Sequence, residues 1–145
     1  MEYRKYGPTY YIRMDTGDEL IESLLAVCRK EKITSAVFSG IGGSKRAEVQ
    51  IFHPENGAFE TKELSGTLEL ISLNGNVSSD ENGDLFHHTH ALFSFDENGV
   101  HGTAGGHIKS ITVLYTAEIE LRPVTGGEIR RKADPETCTG FWNFC

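Results

Sequence analysis

Only one stretch of this chain repeats its apolar residues at helical spacing, and the residues beyond it read as strand until a polar tail. Leu20, Ile21, Leu24, Leu25 and Cys28 recur three and four residues apart, the stripe that an amphipathic helix turns toward a core. Thr16-Gly17-Asp18-Glu19 precedes the stripe as a capping-box pattern, with threonine at the cap and glutamate three residues on. The helix is expected to end near Lys30 or Glu31, with Arg29-Lys30 where the helix dipole favours cations. Before it, residues 3–14 read as one β-rich opening around Tyr10-Tyr11-Ile12. After it come apolar strand-like segments at residues 33–38, 49–52, 59–64, 68–73, 85–95, 100–103 and 111–121. Pro54-Glu55-Asn56-Gly57 and Asp96-Glu97-Asn98-Gly99 are hairpin signals between neighbouring segments. Helices and strands do not alternate, so the pattern predicts an α+β fold, a mainly antiparallel sheet with one main N-terminal helix.

The 145 residues are 38% hydrophobic and 24% charged, enough for a single domain with a real core. Residues 1–122 are expected to form that domain. Residues 123–145 form a polar tail that is expected to pack on it or on a neighbouring subunit, because the tail ends in Phe141-Trp142-Asn143-Phe144. No apolar run approaches the roughly 20 residues of a membrane-spanning helix, and the N-terminus lacks a signal peptide's apolar core. No membrane partner is expected. Cys28, Cys138 and Cys145 are odd in number and form no CxxC pair, which predicts reduced thiols and a cytoplasmic location, with a Cys138–Cys145 bridge left open. The net charge of −7 opposes simple attraction to nucleic-acid phosphates. The one basic cluster, Arg130-Arg131-Lys132, runs into Asp134 and Glu136 and reads as a solvated tail segment.

Five of the six histidines lie between residues 87 and 107. His88 and His90 are two apart in a strand-like run, so both imidazoles point to one face. His107 follows Gly105-Gly106, where backbone can approach closely and bring a third imidazole to the pair. Three neutral imidazoles suit Zn2+ or a similar divalent metal, with a fourth coordination position open. The candidate metal ligands are therefore His88, His90 and His107; the competing reading is a metal-free polar cluster that binds an anion. His87 falls on the opposite face, His53 precedes Pro54 at a turn and reads as structural, and His101 comes after a turn and reads as surface.

A zinc ion lowers the pKa of its bound water to about 7 and so supplies hydroxide. A catalyst also needs a base or oxyanion donor beside that water. Glu69, Ser72, Asn74, Asp84 and Lys109 are candidates that the sequence does not separate, and no catalytic residue is assigned. No HExxH helix or GxSxG elbow is present. Ser39-Gly40-Ile41-Gly42-Gly43-Ser44 fails the GxGxxG phosphate pattern, since Lys45 stands at the third glycine, and reads instead as a tight turn between two strands.

Five motifs in order resemble the plants-and-prokaryotes-conserved (PPC) domain in its short prokaryotic form. They are Gly17-Asp18-Glu19-Leu20, Ser39-Gly40-Ile41-Gly42, residues 68–76 (Leu-Glu-Leu-Ile-Ser-Leu-Asn-Gly-Asn), His88-Thr89-His90 and Gly105-Gly106-His107. The resemblance implies a compact α+β domain that assembles as a homotrimer, with a zinc-type site at histidines like His88, His90 and His107. In plants the domain accompanies AT-hook segments and mediates contacts among regulators, whereas this chain contains no Arg-Gly-Arg core. Two functions are expected from this. One is a trimeric metal-holding module that recognises a regulatory protein, nucleic acid or small-molecule ligand, with weak or no direct binding to plain duplex DNA expected. The other is a small hydrolase or lyase using a metal-activated water at the same histidines.

Overall fold

The computed structural model describes residues 1–135 and 139–144, which form one α-helix and eight strands. Cys138 and Cys145, and with them any bridge between the two, lie outside the described residues. The strands are β1 (Glu2–Tyr6), β2 (Thr9–Asp15), β3 (Ala36–His53), β4 (Ala58–Ser79), β5 (Leu85–Glu97), β6 (Val100–Pro123), β7 (Arg130–Asp134) and β8 (Thr139–Asn143). The helix, α1, spans Leu20–Lys30. All pairings are antiparallel except one parallel contact, Ser79 with Arg130, where β7 joins β4. The α+β architecture read from the segment pattern is the one observed.

The long strands close on themselves. β3 pairs with both β4 and β6, while β5 also pairs with both β4 and β6. β6 makes this possible by changing partner along its length: residues 100–107 run beside β5, and from His107 onward β6 runs beside β3. One side of the closed sheet is apolar. Leu70, Leu73, Val77, Phe93, Ile108, Ile111 and Leu121 are almost fully buried there. The stripe of α1 (Leu20, Ile21, Leu24, Leu25, Val27 and Cys28) lies against β6 and β5 and completes the core.

Three local expectations need correction. The opening read as one strand over residues 3–14 is a hairpin, β1 and β2, reversing at Gly7-Pro8, where Gly7 takes φ +58. The helix cap is Glu19 and not Thr16: Glu19 Oε2 accepts from Glu22 N (2.6 Å) and Oε1 from Ile111 N (2.9 Å). β6 holds the preceding residues in an extended course, with Gly17 N donating to Val113 O, Val113 N to Asp18 O and Thr16 Oγ1 to Tyr115 O. The cap is thus set by tertiary contact.

The third correction concerns residues 39–44, which are strand and not a turn. β3 runs unbroken through them, with bulges between Gly40 and Gly42 and between Ser44 and Arg46. The glycines serve close approach. A Cβ at Gly42 would lie 2.5 Å from Thr116 O and one at Gly40 2.6 Å from Glu118 O, so only glycine lets β6 pass this near β3. The two hairpins expected at residues 54–57 and 96–99 both form, pairing His53 with Ala58 and Glu97 with Val100.

Candidate metal centre

His88 and His90 project from the same side of β5, as strand parity requires, and face Asn76 and Asn74 of β4 across the ladder. His107 is the Cα partner of His90 on one side and of Gln50 on the other, because it marks the point where β6 leaves β5 for β3. Gly105-Gly106 permits the change of partner. A Cβ at Gly106 would lie 2.9 Å from Gln50 O, and one at Gly105 would lie 3.1 Å from Leu92 Cα. The third imidazole therefore reaches the pair through sheet closure more than through a bend.

The ring centroids stand 5.2 Å apart for His88 and His90, 5.3 Å for His88 and His107, and 5.5 Å for His90 and His107. One nitrogen of each ring lies within 4.8 Å of the others. Zn–N bonds of 2.0–2.1 Å in tetrahedral geometry put ligand nitrogens about 3.4 Å apart, so the rings need to close only a short distance from the spacing seen here. Among the described residues this is the one group of three histidine, cysteine or acidic side chains arranged to hold a metal. Phe59, from the start of β4, lies against His107 with centroids 5.3 Å apart and limits where that ring can go.

The protonation state suits metal binding. Burial, followed by the neighbouring histidines, pushes the pKa of His107 down to about 4. Burial, then Arg131, also lowers His88. Both are neutral at pH 7, with nitrogen lone pairs free for a cation.

The other histidines separate as parity and turns suggest. His87 is half-buried on the helix side of β5, its Nδ1 3.0 Å from Thr89 Oγ1. His53 lies between Glu55 and Glu60, at 2.9 and 3.1 Å. His101 is 87% exposed, with Asp96 3.7 Å away. Of the candidate helpers, Asn74 stands directly across from His90, and its Nδ2 donates to Ser72 Oγ (2.8 Å). Lys109 turns away to Glu48, Asp84 sits in the turn beyond β4, and Glu69 lies opposite Ser94, far along the ladder from His90.

The three imidazoles open onto a cleft of ≈1400 Å³ whose far wall is the tail hairpin, β7 and β8. Arg131 lines this cleft. Its segment reads from sequence as solvated; in the fold the residue is half-buried, and its charge acts on His87, His88 and His107. The signal was strand parity, since Arg131 faces oppositely to Arg130 and Lys132 once residues 130–134 are a strand.

A closed antiparallel sheet with one helix, carrying three histidines at a partner-switching strand, agrees with the ordered motifs and with a family-level match to residues 1–125. The chain belongs to the Plants and Prokaryotes Conserved (PCC) domain family. The PCC fold is shared with a plant- and prokaryote-conserved protein from Pyrococcus horikoshii at 33% identity and TM-score 0.83, covering 99% of this chain and 96% of that one. It is shared with a metal-containing protein from Archaeoglobus fulgidus at 29% identity and TM-score 0.84, covering 98% and 96%. A protein from Bacteroides thetaiotaomicron, provisionally described as DNA-binding, matches at TM-score 0.90 and 23% identity, covering 99% and 96%. No protein of curated function is detectably similar to the chain. Among the described residues of this PCC protein, no helix is long and apolar enough to cross a membrane.

Proposed function

We propose that this PCC protein is a metal-binding module in which His88, His90 and His107 hold Zn2+ or a similar divalent ion, assembled as a homotrimer and used for recognition. The observation that carries the metal reading is the convergence of three imidazole nitrogens within 4.8 Å at the mouth of an open cleft. The metal-containing relative from Archaeoglobus fulgidus supports it. Subunit association is supported by a second groove of the sheet, where Tyr11, Ile41 and Ile71 are exposed and line one surface. The net charge of −7 and the missing Arg-Gly-Arg core weigh against strong binding to plain duplex, although relatives are provisionally described as DNA-binding.

A second reading, a small hydrolase or lyase, draws on one observation: the imidazoles face a cleft and not a closed core. A four-coordinate ion with three protein ligands keeps a position for water. The module is preferred because Glu69, Asp84 and Lys109, candidate helpers from the sequence, are turned to other partners or lie away from the histidines. Elemental analysis of purified protein tests the metal reading. About one ion per chain is expected, with loss on His90→Ala or His107→Ala; unchanged metal content in both variants would reject it.

A further inference from the structure

We propose that Arg131 and the three-histidine centre together form one site for a small oxyanion, a carboxylate or phosphate group gripped by the guanidinium while the same molecule reaches the metal. This rests on the metal reading of the histidine cluster. The first support is position. Asn76 is the Cα partner of His88, and its Oδ1 accepts from Arg131 Nη2 (3.4 Å) and from Trp142 Nε1 (3.2 Å). The guanidinium is thus one side chain away from a metal-ligand candidate, and both line one cleft.

The second support is that the guanidinium is held in place. Arg131 Nε donates to Ser78 Oγ (3.3 Å) and Nη1 to Gly140 O (2.7 Å). A Cβ at Gly140 would come within 3.1 Å of Arg131 Cδ, so glycine there leaves the arginine room to lie along β8. A guanidinium has five N–H groups; among the described residues these three bonds leave one on each terminal nitrogen uncommitted.

The third support is missing charge compensation. Among the described residues Arg131 joins no ion pair, whereas its neighbour Arg130 pairs with Glu128 at 3.2 Å. Burial lowers the pKa of Arg131, and no carboxylate among the described residues raises it. A half-buried cation with no ion-pair partner among the described residues is costly, and an anion seated against it offsets that cost. The planar fork matches the oxygens of a carboxylate or phosphate. Asp80, Glu81 and Asp134 line the same cleft beside Arg130 and Lys132, so the surroundings are mixed in sign and favour a small anion over a polymer. The Asp80 carboxylate is occupied by the backbone N–H groups of Asn82 and Asp84.

Calorimetric titration of malonate and of inorganic phosphate into zinc-loaded full-length protein tests the site. Wild type should bind at least one probe, and which one it prefers tells carboxylate from phosphate. R131Q should weaken that binding about 10- to 100-fold. R131K, which keeps the charge and loses the fork, should fall between. Zinc content should be the same in all three proteins. A wild type that holds no zinc overturns the metal reading beneath the proposal. Zinc retained with no binding of either probe, or with affinity unchanged by R131Q, overturns the Arg131 site alone. If R131Q disturbs the tail hairpin, seen as altered Trp142 emission, R131K decides: equal affinity with unaltered emission refutes the proposal.

Discussion

Replacing His107 by alanine should abolish most of the thermal stabilisation that zinc confers. A ligand that binds only the folded chain, present at about a hundredfold its Kd, stabilises by about 2.7 kcal/mol. For 145 residues each kcal/mol moves Tm by about 3 °C, so zinc should raise the wild-type midpoint by about 8 °C. The donors are already within 4.8 Å of each other on hydrogen-bonded strands, so little of this is spent on ordering the site. Losing a ligand should cost at least the roughly hundredfold that outer partners of a metal site can cost. The variant then sits near its own Kd at the same zinc concentration, where stabilisation is about 0.4 kcal/mol and the shift about 1 °C.

The assay is thermal unfolding of chelator-stripped protein with and without added zinc. H107A also removes the ring beside Phe59, so its metal-free midpoint can fall; the comparison is between zinc-induced shifts within each protein. His101→Ala is the control, since that ring is 87% exposed and outside the cluster. It should keep the full shift. Equal shifts in wild type and H107A would refute the reasoning, because zinc would then be acting elsewhere.

Gly42→Ala should destabilise by about 3 kcal/mol, the upper end for overpacking, because its Cβ would meet the backbone at Thr116 O (2.5 Å). Gly127→Ala, with nothing within 4 Å, should be nearly silent; equal midpoints for the two would contradict the close-approach account. Stability should fall in acid in two stages. His107 is held neutral with its pKa down at about 4, below the usual 6.5, so the folded state binds fewer protons and weakens as pH drops from about 6.5 toward 4. Asp15, Asp18, Glu31, Glu48 and Glu128 have pKa values lowered chiefly by hydrogen bonds, so what they contribute is present above the ordinary carboxylate pKa and lost as pH falls below it. A midpoint that stays level from pH 7 to pH 4 in metal-free protein would contradict the first stage. Light scattering should give about 48 kDa, three times the 16.0 kDa chain; a monomer mass would reject the trimer.

What the sequence made legible was what short-range periodicity decides. The stripe from Leu20 to Cys28 located α1 because its spacing is a property of neighbours along the chain. Parity put His88 and His90 together and His87 apart for the same reason. Errors arose where distant backbone intervenes. Thr16 carried a good cap pattern, yet β6 draws its hydroxyl to Tyr115 O and gives the cap to Glu19. Glycines at 40 and 42 looked like a turn because a turn and a close crossing of strands ask for the same residue, and only the partner strand distinguishes them. The separate segments joined into long strands because polar breaks such as Lys45-Arg46 are absorbed by bulges.

The histidine site and its surroundings show the same division between local and long-range information. A third imidazole next to two glycines was readable, but its meeting with His90 depends on β6 exchanging β5 for β3 at that residue, which is a fact about the closed sheet. Arg131 is further from reach, since its side of β7 matters only once β7 is laid against the end of β4 at Ser79. The candidate metal ligands thus stand on the closed sheet, and the cation proposed to choose what approaches them stands on a hairpin whose links to that sheet, among the described residues, include one backbone pairing and the bonds of Arg131 and Trp142 to β4. Such an arrangement lets the tail vary the ligand without disturbing the metal. Substitutions at Arg131 should therefore change anion affinity while leaving zinc in place, and substitutions at His107 should remove both.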